Sequence, residues 1–242
     1  MKKIMVLFAC TICVLSSGCL TSVIPSSKEI CAERMEELLY EKYNDSFTVI
    51  AVGGTHFKDV IMTYASWDQR PEITFEAELS TDGEDSIFRD EWALRTARMQ
   101  VEDIVSNSFN DYGIDVITKA NFDKYYEAEP FMQIDNYLYM AEADEITIYL
   151  IAKDDISWTT EYISTMFNNI KEKLPHIRLR VGTFIIRAED FEKSELDIRQ
   201  DTYAVTSRGR LRLFEANLVK QFYTEFDSDG ELIENFEINL DY

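Results

Sequence analysis

Three parts of the chain carry apolar residues at the spacing of an α-helix. The first is residues 28–43, the second is about 88–109, and the third begins after an N-cap at Asp155 or Ser157 and ends at Pro175. Residues three and four apart lie on one face of a helix, so each segment can bury an apolar stripe. The third stripe is the most regular, and it predicts a buried face made of Ile163, Met166, Phe167, Ile170 and Leu174.

The remaining pattern is typical of short strands separated by turn residues, such as Gly53-Gly54 and Asp229-Gly230. The predicted strands are 47–52, 60–65, 73–79, 114–117, 146–152, 177–186, 203–207, 210–226 and 232–240, with a short helix at 190–196. Few helices connect these strands as crossovers. The sequence therefore predicts an α+β fold with mostly antiparallel sheets and three longer helices.

The first 18 residues differ from the rest of the chain. Lys2 and Lys3 precede an apolar run at 4–15, and small residues follow at 16–18. The apolar run is too short to span a bilayer as a helix. This arrangement predicts a secretory signal peptide over residues 1–18.

The segment Leu15-Ser16-Ser17-Gly18-Cys19 resembles the lipobox of bacterial lipoproteins. The resemblance implies cleavage before Cys19, a diacylglycerol on its sulfur, and acylation of the new amino group. Two acyl chains anchor a protein stably. We therefore expect a lipidated Cys19, a short tether over 19–27, and attachment to the extracytoplasmic face of the cell membrane. A simple secretion signal and a buried first helix are the alternatives.

Residues 28–242 form the predicted globular region. The stretch 121–144 has the least regular pattern and contains Pro130. It is a candidate lid or a candidate boundary between two small lobes, 28–125 and 143–242, although the length also allows one domain.

The chain is strongly acidic, with 45 Asp and Glu against 24 Lys and Arg and a net charge of −21. Nucleic-acid binding depends on a basic surface that releases counterions from phosphates, so this charge argues against nucleic acid as a partner. The charge also argues against a folded part that lies flat on an anionic bilayer. The predicted contact with the membrane is the lipid anchor.

Familiar catalytic and metal-binding motifs are missing from the sequence. His56, His176 and Cys31 are too far apart in the chain to match zinc-ligand spacing. A nucleophile elbow, a Walker A loop and a dinucleotide-binding glycine motif do not occur. In an EF-hand register, the Asp-Ser-Asp-Gly segment ending at Gly230 would place Phe236 where a carboxylate must stand, so it predicts a hairpin turn. We therefore expect no catalytic residue, cofactor or metal.

Arginines form the one basic feature of the C-terminal half. They alternate with apolar residues in two predicted strand regions, at Arg178 and Arg180 and at Arg208, Arg210 and Arg212. Alternation places each set on one face of its strand. Two interpretations remain open: cross-strand pairing with Asp and Glu, or a cationic patch for an anionic envelope ligand or an acidic protein partner.

Two segments resemble a group of uncharacterised lipoproteins and secreted proteins from Gram-positive bacteria. They are Leu39-Tyr40-Glu41-Lys42-Tyr43, before the strand that starts at Phe47, and Ile87-Phe88-Arg89-Asp90-Glu91-Trp92, before a long helix. The resemblance covers about residues 30–200 and implies an α+β fold and a surface location, without an activity. The sequence predicts a membrane-anchored domain that binds or scaffolds a partner. The alternative is an envelope enzyme, for example a carboxylate-dependent hydrolase.

Overall fold

The computed structural model describes residues 27–53, 60–80, 87–192 and 218–239. The helices are α1 Ser27–Tyr43, α2 Trp92–Asn110, α3 Ile134–Ala141 and α4 Thr160–Ile170, with a 3₁₀ turn at Lys171–Lys173. The strands are β1 Phe47–Val52, β2 Val60–Trp67, β3 Arg70–Ser80, β4 Ile87–Asp90, β5 Val116–Phe122, β6 Glu145–Lys153, β7 Arg178–Ile186, β8 Leu218–Phe226 and β9 Leu232–Ile238.

These strands form two sheets, one with the order β1-β2-β3-β4 and one with the order β5-β6-β7-β8-β9. Every neighbouring pair is antiparallel except β6 and β7, which run parallel with Glu145 opposite Arg178. A parallel pair needs a crossover connection, and α4 lies in that connection. The predicted α+β class with mostly antiparallel sheets is confirmed.

Helix α2 packs into two of the hydrophobic cores. Its residues Trp92 and Met99 belong to the core of α1 and the first sheet. Another set belongs to the core of α3, α4 and the second sheet: Leu94, Ala97, Val101, Val105 and Phe109. Because its two sides are buried against different sheets, α2 connects them.

Strand β4 is an element that the sequence pattern does not predict. The predicted helix starts at about residue 88, whereas α2 starts at Trp92 and Ile87–Asp90 pairs with β3, with Asp90 opposite Ala77. The apolar residue Ile87 fits a helical and an extended pattern equally well. The available edge of β3 decides between the two.

Helix α3 is a second correction. It lies inside the stretch 121–144, which the pattern leaves without an element. Its inward-facing residues are Ile134, Tyr137, Leu138 and Ala141, which have helical spacing over only two turns. A helical spacing of apolar residues over only two turns cannot be distinguished from chance in the sequence. Strand β5 pairs with β6 across this stretch, and the division into lobes 28–125 and 143–242 stays a prediction.

Helix α4 begins later than predicted. Its N-cap is Thr159, whose hydroxyl accepts the backbone N–H of Tyr162 at 3.1 Å, rather than Asp155 or Ser157. The preceding Trp158 is buried, and its indole N–H donates to the carbonyl of Lys153 at 2.7 Å. Burying this ring keeps the chain out of helical conformation until residue 159. The predicted buried residues Ile163, Met166, Phe167 and Ile170 of α4 are confirmed. Leu174 is also buried, but the helix ends at Ile170 and Leu174 follows the 3₁₀ turn.

The predicted hairpin turn between β8 and β9 is present. The carboxylate of Asp227 accepts the backbone N–H groups of Asp229 at 3.0 Å and Glu231 at 2.8 Å. Gly230 has a φ of +81°, a conformation that favours glycine. The predicted strand 203–207 and the first part of the predicted strand 210–226 lie outside the described residues.

None of the helices in the described ranges is both long enough and apolar enough to cross a membrane.

Candidate functional site

A cavity of about 540 Å³ opens where the C-terminal end of α1, strand β4, the start of α2 and the segment 125–132 meet. We call it the α1–β4 cavity. Most of its functional groups are charged or aromatic. The charged residues that line it are Lys42, Arg89, Asp90, Glu91, Glu127 and Glu129.

Asp90 connects three elements at this cavity. Its carboxylate accepts hydrogen bonds from Lys42 Nζ at 2.7 Å, from the Tyr43 hydroxyl at 2.6 Å, and from the backbone N–H of Trp92 at 3.1 Å. The side chain is only 2% exposed. Burial and the hydrogen bond to Asp90 raise the pKa of Tyr43 well above its usual range, so the phenol stays protonated and donates. The carboxylate therefore holds Lys42 and Tyr43 in fixed positions.

Tyr43→Phe is expected to lower the free energy of unfolding by about 1.5 to 3 kcal/mol, because it removes one hydrogen bond to a buried charged group. Tyr40→Phe on the same helix is the control, since that side chain is exposed. Urea denaturation followed by circular dichroism measures both variants. Equal losses in the two variants would show that the Tyr43–Asp90 hydrogen bond contributes nothing specific.

Glu91 is a carboxylate of the cavity whose pKa is raised. Burial raises the pKa of its side chain above the usual range, and nearby Arg98 offsets only part of this effect. Glu91 also lies 3.6 Å from Arg89 Nη2. The guanidinium of Arg89 in turn sits over the ring of Tyr125, 5.0 Å from its centroid. Glu91 therefore takes up a proton more readily than an exposed glutamate.

The segment that closes the other side of the cavity is held by α2. Gln100 Nε2 donates to the carbonyl of Met132 at 2.7 Å, and Gln100 Oε1 accepts the N–H of Ile134 at 3.2 Å. The N–H of Phe131 donates to the Thr96 hydroxyl at 2.9 Å. The start of α2 lines the cavity, and these hydrogen bonds attach the segment 131–134 to the same helix. The two sides of the cavity are therefore held at a fixed distance from each other.

A buried ion pair lies further along α2. Arg95 Nη2 is 2.8 Å from Glu102 Oε2, and the Arg95 side chain is 2% exposed. Glu102 Oε1 also accepts the N–H of Ala120 on β5, at 3.1 Å. Burial by itself would raise the pKa of Glu102, but Arg95, Lys119 and these hydrogen bonds hold it below the usual range. Strand β5 is an end strand of its sheet, and Glu102 of α2 satisfies one N–H group of that strand.

The structure places two of the predicted site residues, Arg178 and Arg180, on β7. Arg178 pairs with Glu225 of β8, and Arg180 Nη1 lies 3.0 Å from Glu145 of β6. Arg180 Nε is also 3.5 Å from Glu225. For these two arginines the structure shows the cross-strand pairing. The remaining predicted site residues, Cys19, Arg208, Arg210 and Arg212, lie outside the described residues. The anionic-ligand patch stays a prediction.

The potential metal ligands are dispersed wherever the chain is described. His176 lines a second cavity of about 290 Å³, together with Asp227 and Asp229. Within the ranges 27–53, 60–80, 87–192 and 218–239, no three His, Cys, Asp or Glu side chains are grouped as metal ligands would be. His56 lies outside these ranges.

Sequence patterns did not predict the α1–β4 cavity, although one signal was present. Lys42 is a charged residue that stands at the helical spacing of the buried α1 residues Met35, Leu38 and Leu39. Its partner, Asp90, belongs to the second of the two segments that resemble the Gram-positive group. The segments 39–43 and 87–92 are far apart in the chain and meet at this carboxylate.

The fold and the cavity define a two-sheet α+β domain in which the α1–β4 cavity lies beside the connecting helix α2. A crystal structure of a DUF5037 family protein from Ruminococcus gnavus ATCC 29149 is similar to it, with a TM-score of 0.66 and 13% sequence identity over 87% of this chain and 95% of that chain. At this identity the likeness shows the fold alone. The sequence matches no known family profile and no curated protein.

Proposed function

We propose that this chain is an extracytoplasmic lipoprotein, anchored to the cell membrane through Cys19, whose folded part binds a small ligand in the α1–β4 cavity. The cavity carries the proposal. Its volume of about 540 Å³ lies within the range of about 300–1,000 Å³ that is common for small-molecule sites. The signal-peptide and lipobox pattern of residues 1–19 supports attachment to the membrane.

Hydrogen bonds within the protein hold polar groups of the cavity in fixed positions. Lys42 uses one of its three N–H donors on Asp90, which leaves two that can reach a ligand. Asp90 is buried and accepts three hydrogen bonds, so it positions its neighbours. Fixed polar groups cost less entropy on binding than mobile ones. This arrangement favours a binding site.

The lipid anchor predicts a clear labelling result. Cells that express the protein and are fed a clickable fatty acid should yield a labelled protein, and Cys19→Ala should abolish the label. Cys31→Ala is the matched control and should keep it. Release of unlabelled wild-type protein into the medium would contradict the anchor.

The binding proposal is tested by thermal unfolding with ligand panels, because a ligand that binds only the native state raises the melting temperature. The panels are neutral oligosaccharides, phosphosugars and teichoic-acid fragments, short peptides, and amines. At least one panel should stabilise the wild type, and Tyr125→Ala should remove that gain. Tyr112→Ala should keep it: its side chain is 62% exposed, against 60% for Tyr125, and it lies outside the cavity. A gain that survives Tyr125→Ala would place the ligand elsewhere.

A second candidate is a carboxylate-dependent hydrolase, because the raised pKa of Glu91 suits a general acid. Against it, Asp90 is committed to three donors within the protein and is poorly placed to act as a nucleophile. If the chain is a hydrolase, it should release new reducing ends from oligosaccharides. Glu91→Gln should then slow that release by about 100-fold or more. If the oligosaccharides stay intact after long incubation, the hydrolase candidate is rejected and the binding function remains.

A further inference from the structure

We propose that the α1–β4 cavity takes a neutral, polyhydroxylated ligand, that is, a carbohydrate. This inference rests on the proposed binding function and specifies its ligand class. It follows from how the charges of the cavity are paired, which charges are left over, and which ring faces are still open.

The cations that line the cavity already have anionic partners within it. Lys42 pairs with Asp90 at 2.7 Å, and Arg89 lies 3.6 Å from Glu91. A ligand with its own negative charge would have to compete with these carboxylates for each cation. An anion therefore gains little from either cation.

The charges that are left over are negative. Glu127 and Glu129 line the cavity, and both lie close enough to Tyr43 to contribute to its raised pKa. Neither carboxylate forms an ion pair with another residue in the described part of the chain. An anionic ligand would be repelled by both, which disfavours phosphates and carboxylates.

Two of the aromatic rings that line the cavity already contact a side-chain cation of the protein. Arg89 sits 5.0 Å from the ring centroid of Tyr125, and Lys42 sits 5.1 Å from that of Tyr43. A ligand ammonium group would have to displace a side-chain cation from a ring face and would gain little in exchange. Cation binding through these rings is therefore also disfavoured.

A sugar matches the groups that remain. Each hydroxyl can donate and accept, so one ring can accept from the free N–H groups of Lys42 and donate to Glu127 or Glu129. Tyr125 is 60% exposed and Tyr126 is partly exposed at the same cavity. A ring edge or open face there can cover the apolar C–H surface of a sugar. A neutral ligand that is rich in hydroxyls can make both kinds of contact at once.

Isothermal titration of the full processed protein in detergent tests the class with three sets of probes. The neutral probes are the tetrasaccharides of glucose, xylose, mannose and N-acetylglucosamine. The anionic probes are inorganic phosphate and tetragalacturonate, and the cationic probes are choline and spermidine. We expect a neutral tetrasaccharide to bind with a Kd of about 1 mM or tighter, and the charged probes to bind at least about tenfold more weakly.

Variants connect the binding to this cavity. Tyr125→Ala should weaken the neutral probe by about tenfold, whereas Tyr125→Phe keeps the ring and should keep the affinity. Tyr112→Ala should bind as the wild type does. Tyr125-dependent binding of a charged probe in place of the neutral ones would overturn the carbohydrate class and leave the binding function standing. If no probe in any set bound, the carbohydrate class and the binding function would both be contradicted.

Discussion

Phe167→Ala is expected to lower the free energy of unfolding by about 3 to 5 kcal/mol, as large-to-small changes in a protein core do. Phe167 is fully buried in the face of α4 that packs on the second sheet. Its ring meets Phe109 of α2 edge to face, with the centroids 6.0 Å apart. The substitution therefore removes buried apolar surface and leaves a cavity between two helices that cannot easily close.

Urea denaturation of the purified protein measures this loss. Tyr139→Ala on α3 is the control, because its side chain is 82% exposed and surface changes commonly alter stability by about 0.5 kcal/mol or less. A loss below about 1 kcal/mol for Phe167→Ala would show that α4 does not contribute its apolar face to the core.

Glu102→Leu is expected to cost a similar amount, about 3 to 5 kcal/mol, for an electrostatic reason. It leaves Arg95 buried without its carboxylate, which is the expensive way to break a buried ion pair. Nε and Nη1 of Arg95 already lack hydrogen-bond partners among the described residues, so no second acceptor compensates. The N–H of Ala120 on the sheet edge also loses its acceptor.

The double variant Arg95→Met with Glu102→Leu separates charge from packing. Replacing both partners with apolar side chains removes the uncompensated charge, so most of the loss should be regained. A double variant that is as unstable as Glu102→Leu would show that the packing of α2 on β5, and not the ion pair, determines the cost.

Glu102 also makes the stability of the folded protein depend on pH. The pKa of Glu102 is lower in the folded protein than in the unfolded chain, so its contribution to stability is fully present above the unfolded value, about 4.3. That contribution is lost as the pH falls through the folded pKa. Denaturation midpoints measured between about pH 3 and pH 6 should therefore fall less steeply for Glu102→Leu than for the wild type.

Local pattern was a good guide wherever an element buries one face along a long enough segment. The stripes of α1 and α4 have several buried residues at helical spacing, and the sequence predicted both helices. It failed where a partner decides the conformation. Ile87–Asp90 is extended because β3 offers an edge, and the start of α4 is set by the burial of Trp158.

By itself, the sequence determined the α+β class, most of the strands, the buried face of α4 and the turn at Asp227, because these depend on residues close together in the chain. Only the tertiary structure decided the parallel pairing of β6 and β7, the carboxylate partners of Arg178 and Arg180, and the α1–β4 cavity. The cavity depends on Lys42 and Tyr43 meeting Asp90, two segments that become neighbours only when α1 and α2 pack on the first sheet. The local pattern of apolar residues contains no information about this contact. A buried carboxylate is stable only when the fold brings hydrogen-bond donors to it.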